Sequence, residues 1–469
     1  MTFWAQKAYN NHSRRKNVFF GRLSGYSAGG FGLFVLRHPA QMTLVQVKTT
    51  VYQGNLQNCL VYSSSAKPFV APVGFYFSID SLGLDRTVHA KQRTMNTVQI
   101  IENLFVERMM YLSHSSANNN HNKPKIRKKV YHMATLKRGR QSFILPQPPA
   151  ISHWASVVGK KEAAGPLGYS FDIKDEDTYF GQKTWEQAEK YMQQLALKKL
   201  LEKASMSASD LDVVFSGDLL NQCIGSSFSL RNTGIPHLGL YGACSTMAES
   251  LLLAAMTVGG GFADKAVALT SSHFASSERQ YRFPLGYGGQ RTPTSQWTVT
   301  GSGAALVQSQ GEGPFITDCT IGTVTDLGIK DANNMGAAMA PAAYSTIRAH
   351  LEDLKRSPEY YDVIVTGDLG HLGQEMLLAL ARRDGVALGG KLTDCGKLIF
   401  DRTTQDTHSG GSGCGCSAVT LCGHFLNQIR NGKIKRILFC GTGALLSPTS
   451  TQQGLPIPGV CHAVCISGG

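Results

Sequence analysis

The sequence predicts an α/β protein built from two similar halves, and three observations carry that prediction. Leu211-Asp212-Val213-Val214-Phe215-Ser216-Gly217-Asp218-Leu219 lines up with Tyr361-Asp362-Val363-Ile364-Val365-Thr366-Gly367-Asp368-Leu369 at a constant offset of 150 residues. The turn Gly242-Ala243-Cys244-Ser245 has a counterpart in Gly413-Cys414-Gly415-Cys416-Ser417. Apolar residues at three- and four-residue spacing precede each aligned strand, from Trp185 to Ala204 and from Ala343 to Arg356, which reads as an amphipathic helix. Strands alternating with helices imply parallel sheets covered on both faces. Two such halves in tandem make one pseudo-twofold molecule of five layers or a pair of similar domains.

Along the chain, residues 1–132 show short apolar runs, such as Phe31-Gly32-Leu33-Phe34-Val35-Leu36, without a sustained period. They end in the polar, basic tract from Asn118 to Lys129, a composition typical of disorder. Met133 begins a differently composed chain, so this extension is expected to be disordered or to reflect a translation start assigned too early. A first half is expected over 133–315 and a second over 316–469, meeting near Pro314 to Thr325. In the first half, the Cys244 turn leads into a helix from Met247 to Met256 and then a buried strand, Ala266 to Thr270. In the second, the Cys416 turn leads through a helix to the strand Arg436-Ile437-Leu438-Phe439-Cys440.

The net charge of +14 misleads about the working part of the protein. Residues 1–132 hold 17 Lys/Arg and 4 Asp/Glu, whereas 133–469 hold 29 and 28. A nucleic-acid partner for the whole chain therefore loses its support. Eleven cysteines at irregular spacing, with no Cys-x-x-Cys and no paired Cys/His set, argue for free thiols and against a zinc site; no metal and no cofactor are expected. The longest apolar run, Leu251 to Leu269, is broken by Gly259-Gly260-Gly261 and Asp264-Lys265, so a protein that is soluble or peripheral to a membrane is expected.

A cysteine between a strand end and a helix N-terminus gains from the helix dipole and from unpaired backbone N–H groups. Both favour a thiolate or an anion beside it. Gly242, Ala243 and Ser245 let backbone approach whatever binds there. Asp218 and Asp368, equivalent in the two repeats, suggest paired carboxylates for acid/base work, but a shared role as N-caps of the following helices accounts better for their symmetry. Cys440 is expected in core packing.

The repeat, the Ala243-Cys244-Ser245 elbow, Thr300-Gly301-Ser302-Gly303-Ala304-Ala305 and Gly441-Thr442-Gly443-Ala444 resemble the thiolase and ketoacyl synthase superfamily. In longer segments the chain resembles the stage V sporulation protein AD family of endospore formers: Ser216-Gly217-Asp218-Leu219-Leu220-Asn221-Gln222, Gly239 to Thr246, Tyr287-Gly288-Gly289-Gln290, Gln296 to Gly301, and Asn334 to Ala343. The similarity runs from about Gly139 to Val464 and does not reach residues 1–132.

The resemblance implies a thiolase-like five-layer α-β-α-β-α fold and a homodimer. It also implies a role with dipicolinate, or its calcium complex, alongside membrane-embedded SpoVA-type partners that load the developing spore, at or near the spore inner membrane. Condensing enzymes pair the nucleophilic Cys with His/His or His/Asn. Here Gly367-Asp368 stands at the first such position and Gly411-Ser412-Gly413 at the second, with His371 and His408 nearby in sequence. Non-catalytic binding is therefore the expected function, with a Cys244-dependent acyltransferase or condensing enzyme as the rival. For a planar dianion the expected ligand-binding set is Cys244 and Ser245, through their N–H groups, with His273, Arg279, Arg282 and Arg291 from the stretch His273–Gln296, where Tyr281, Phe283 and Tyr287 are interleaved.

Overall fold

The computed structural model describes residues 136–281 and 291–469 in full, and ahead of them the backbone of four strands. The chain divides into two compact units, Met1–Val130 and Tyr131–Gly469. In the first unit Gly30–His38, Gln41–Tyr52, Asn55–Ser63 and Ala66–Val70 form an antiparallel sheet in sequence order. This meander was not expected from its irregular apolar runs; pairing between adjacent strands is local and does not require strict alternation along each one. The expected disordered tract from Asn118 to Lys129 lies outside the described residues.

The second unit holds two five-stranded arrays of the same topology. The first consists of β1 (Ala150–Gly159), β2 (Val213–Gly217), β3 (His237–Gly239), β4 (Lys265–Ser272) and β5 (Gly301–Gln308), in the spatial order β3-β2-β4-β5-β1. The second consists of β6 (Phe315–Thr320), β7 (Val363–Thr366), β8 (Leu392–Asp394), β9 (Arg436–Ala444) and β10 (Gly459–Ser467), in the order β8-β7-β9-β10-β6. In both arrays only the fifth strand runs antiparallel to its neighbours. The arrays join at Phe315 opposite Ala150.

Helices make the remaining layers. These are α1 (Trp185–Ala204), α2 (Ile224–Leu230), α3 (Thr246–Gly259), α4 (Phe274–Tyr281), α5 (Met335–Leu354), α6 (Gly370–Arg383) and α7 (Cys414–Thr420), which continues through a π turn to Arg430. The period-two alternation of the strands assigns each side chain to a layer. On β9, Ile437 and Phe439 join Met247 and Leu251 of α3 and Val419 of α7 in a core between the sheets, while Leu438 and Cys440 join Met339 and Ile347 of α5 in an outer one. On β4, Ala266 and Ala268 face the central core, while Val267 and Leu269 face Met192 and Leu200 of α1. Five layers result, and Cys440 is core, as expected.

α5 begins eight residues before the expected Ala343. Asn334 caps it by accepting from Ala337 N at 3.3 Å, and Pro341 sits within the helix, which forfeits one backbone bond without ending the helix. The two sheet edges also differ. β3 leaves Leu238 55% exposed, with Ile224, Phe228 and Tyr241 among the other exposed apolar residues; on β8, Leu392 and Asp394 are buried.

Candidate functional site around Cys244

Cys244 lies in a single 3₁₀ turn, Ala243–Ser245, that feeds α3, the helix buried between the sheets. Ala243 holds φ +50°, a left-handed conformation uncommon for a residue with a Cβ. The elbow is held from within: Thr246 Oγ1 donates to Ala243 O at 2.6 Å and accepts from Gly242 N at 3.2 Å. Ser245 Oγ donates to Gly242 O at 2.7 Å, and Ser245 N donates to the same carbonyl at 3.1 Å. Both Ser245 donors are therefore spent on the turn, and the residue is fully buried, so the expectation that Ser245 offers an N–H to a ligand is corrected. The end of β9 presses on this turn: a Cβ on Gly443 would lie 2.4 Å from Gly242 O, which only glycine avoids.

The second repeat reaches the same point. Gly413 turns with φ +97°, and Cys414, first in α7, donates its thiol to Ser271 O at 2.9 Å. Cys244, Cys414 and Leu219 form one small buried cluster with Tyr281 packed against it. Cys416 is buried deeper, in the central core.

Asp368 is the unexpected member. Its carboxylate accepts from Thr442 Oγ1 at 2.7 Å and from Gly413 N at 2.9 Å, and the neighbouring Cys244 thiol also helps to hold its pKa down. Burial pushes its pKa up to about 7 despite those donors. The N-cap role expected for Asp368 falls to Asp394, which accepts from Leu369 N at 2.8 Å and Gly370 N at 3.0 Å ahead of α6. Asp218 does hold the start of its helix, accepting from Leu220 N at 2.9 Å, Ser226 N at 2.7 Å and Ser226 Oγ at 2.6 Å. Burial raises its pKa too, as it does that of Glu189, whose carboxylate accepts from Ser271 and Ser276.

Above Cys244 lies a cavity of about 30 Å³, walled by Leu219, Tyr241, Tyr281, Met335 and Leu446. Ser277, Glu278, Thr298 and Ser412 supply its polar lining. Tyr241 OH meets Tyr281 OH at 2.7 Å, and Tyr281 donates onward to Leu219 O at 2.6 Å. Glu278 accepts from Thr298 Oγ1 at 3.2 Å. The Ser277 hydroxyl is buried and has no partner among the described residues, which marks a place for a water or a ligand atom. Sequence reasoning missed Ser277, Glu278 and Thr442; the departure from histidine at position 368 was the one visible signal.

The other expected ligand residues are placed elsewhere or not described. His273 is buried, with Nε2 2.8 Å from Thr178 O and Nδ1 accepting from Ala275 N at 3.2 Å; burial lowers its pKa, leaving it a neutral structural group. Arg279 pairs with Glu186 and lies over the Trp185 ring. Arg291 donates to Gln296 O and stacks 4.9 Å from the Trp297 ring. None of these three is among the cavity's lining residues. Arg282, Phe283 and Tyr287 lie outside the described residues. His371 sits in the first turn of α6, its backbone N donating to Ser409 O at 2.7 Å, and His408 lies 3.6 Å from Asp406; neither lines the cavity. Among the described residues no His/Cys/Asp/Glu group is arranged to hold a metal. No helix there is long and apolar enough to cross a membrane.

Paired five-stranded arrays around buried helices, with a cysteine elbow at the first repeat, define a thiolase-like protein. The chain belongs to the Stage V sporulation protein AD family, whose pattern matches residues 139–467. Stage V sporulation protein AD of Bacillus subtilis strain 168 is 43% identical over 326 residues, covering 70% of this chain and 96% of that protein. Among solved structures, 3-oxoacyl-[acyl-carrier-protein] synthase III from Aquifex aeolicus VF5 is 15% identical with a TM-score of 0.40, covering 68% of this chain and 99% of its own. A variant of OleA from Xanthomonas campestris is 14% identical with a TM-score of 0.46, covering 70% and 100%.

Proposed function

We propose that this sporulation protein binds dipicolinate as its calcium complex, without turning it over, in the cavity above Cys244, and that it works with SpoVA-type membrane partners that move the compound into the spore. The observation that carries this reading is the lining. A buried, unpartnered Ser277 hydroxyl faces a wall of tyrosines and apolar side chains, and Glu278 is the one charged lining residue described. A lining dominated by tyrosines and apolar side chains favours a ligand whose charge calcium has neutralised over a bare dianion. A ligand of dipicolinate's size exceeds the present volume, so binding requires the walls to part. Calorimetry on the full chain tests this: heat is expected with dipicolinate plus calcium, less with dipicolinate alone, and loss of binding in Cys244→Trp. Equal, unsaturable heats in all three titrations overturn it.

The rival reading, acyl transfer from a thioester, draws on one neighbouring group. Asp368, beside the Cys244 thiol and with its pKa pushed up to about 7, could take the thiol proton as sulfur attacks the thioester carbonyl, and return it to the CoA thiolate expelled when the original C–S bond breaks. A mass increase of one acyl group on Cys244 after exposure to an acyl-CoA, absent in Asp368→Asn, supports that reading instead.

A further inference from the structure

A second cavity lies away from Cys244 and has the opposite electrostatic character. It is an open pit of about 310 Å³ lined by His153, Trp154, Lys203, Asn427 and Arg430. Three elements meet there: β1, the last turn of α1, and the end of the helix that continues α7. At this point β1 carries a bulge, because His153 opposes Leu306 and Ile151 opposes Val307, leaving Ser152 as the extra residue. Bulges re-aim side chains and recur beside sites.

The contacts inside the pit are well defined. Arg430 donates to the Ser152 carbonyl and lies face-on over the Trp154 ring at 3.9 Å. Trp154 Nε1 donates to Asn427 Oδ1 at 3.2 Å, and Asn427 Nδ2 donates to Gly423 O at 2.7 Å. His153 Nδ1 lies 3.3 Å from Ser152 Oγ, which also accepts from Gln308 Nε2 at 2.6 Å. Lys203 donates to Trp154 O at 2.9 Å and pairs with Asp172 at 2.5 Å. Asp172 therefore offsets Lys203, while the salt bridges among described residues give Arg430 no carboxylate in contact; Glu312 acts on it only at longer range. Arg430 spends one of its five N–H donors on the protein.

Helix dipoles account for a cation at the end of α1 and another at the end of the α7 continuation. They do not account for a histidine turned between them by a bulge. Burial, then Arg430, then Lys203, hold the His153 pKa down, so the pit as it stands disfavours a further positive charge.

We propose that the pit of His153, Lys203 and Arg430 is a binding site for a small oxyanion, a phosphate or dicarboxylate, gripped by the Arg430 fork against the Trp154 indole. The geometry suits it: a planar guanidinium pre-positioned by aromatic stacking matches paired oxygens, and His153 can add a donor once an anion is present. The site is independent of the Cys244 cavity and of the function assigned to it.

The test is an NMR titration of the full chain with inorganic phosphate and, separately, malonate, following the Trp154 indole N–H and the His153 ring at constant ionic strength set by chloride. The expected result is saturable shifts of both signals with either probe. His153 should titrate at a higher pH when the anion is bound, because the anion stabilises imidazolium. Arg430→Gln should weaken binding roughly tenfold or more, and Arg430→Lys, which keeps the charge but not the fork, by less. Cys244→Trp should leave the titration unchanged. Absence of saturable shifts, equal shifts with chloride alone, or unchanged affinity in a folded Arg430→Gln protein overturns the proposal.

Discussion

The two halves of the second unit share a topology and divide the labour. Asp212 and Asp362 do the same job at the same position: Asp212 accepts from Asp264 N and Lys265 N to pin the start of β4, and Asp362 accepts from Lys435 N and Arg436 N to pin β9. Ser205 and Lys355 both end the preceding helix with φ +53°. Asp218 and Asp368, equally matched in sequence, do different things. One holds the start of α2 and the other turns inward to Cys244 and Thr442. Duplication thus preserved the groups that close the backbone of each strand, and released the groups at the strand ends where the halves meet. There only one repeat needs a cavity, and Asp394 takes over the capping that Asp368 gave up.

The sheet edges differ in the same way, and they supply the largest expected effect. The exposed β3 edge, where Leu238 is solvent-exposed, as are Ile224 and Phe228 of α2, is the surface we propose to pair a second copy of the chain into a homodimer. Leu238→Lys should convert dimer to monomer in analytical ultracentrifugation while leaving the circular dichroism unchanged. A wild-type chain sedimenting as a monomer at tens of micromolar would remove that proposal.

Next in size is the contrast between the two acids. Asp218→Ala leaves Leu220 N, Ser226 N and Ser226 Oγ without their buried acceptor, and should cost about 3 kcal/mol in chemical denaturation. Asp368→Asn should cost less, because an amide keeps the shape and one of the two acceptors and removes the desolvation of a buried acid. Equal losses would mean that Asp368 is a structural keystone like Asp218.

The smallest effect is on pH dependence. A carboxyl with a folded pKa above its unfolded value favours the folded state below the unfolded pKa, and that contribution is lost as pH rises through the folded pKa. Asp368 and Glu162 are pushed up to about 7 by burial, and Asp394 to about 6. Thermal stability should therefore fall from about pH 4, the unfolded carboxyl range, to about pH 7, the folded value of Asp368 and Glu162. Asp368→Asn should flatten that slope. A melting temperature that rises across this interval would contradict the desolvated setting of these acids.

Much of the architecture was legible in the residues. The offset repeat marked two like halves, the apolar runs Ala266–Thr270 and Arg436–Cys440 marked buried strands, and Gly242-Ala243-Cys244-Ser245 marked the elbow. α5 starts eight residues ahead of the expected Ala343, capped by Asn334 and carrying Pro341 within it. The site was less legible. Arg279, Arg291 and His273 follow the elbow in the same half, yet Arg279 pairs with Glu186, Arg291 donates to Gln296 O and His273 lies against Thr178 O, and none of them lines the cavity. Sequence distance says little about which end of a side chain faces a cavity.

By itself the sequence determined the pseudo-twofold α/β fold and the cysteine turn, because periodicity, glycine placement and repeat register are local properties that backbone geometry converts directly into elements. Only the tertiary structure decided that Cys244 meets Asp368 across more than a hundred residues of chain, that Ser245 is spent on its own turn, and that His153, Lys203 and Arg430 converge on one pit. Each of these depends on how separate elements pack, and packing is where a carboxylate, a hydroxyl or a guanidinium finds its partner.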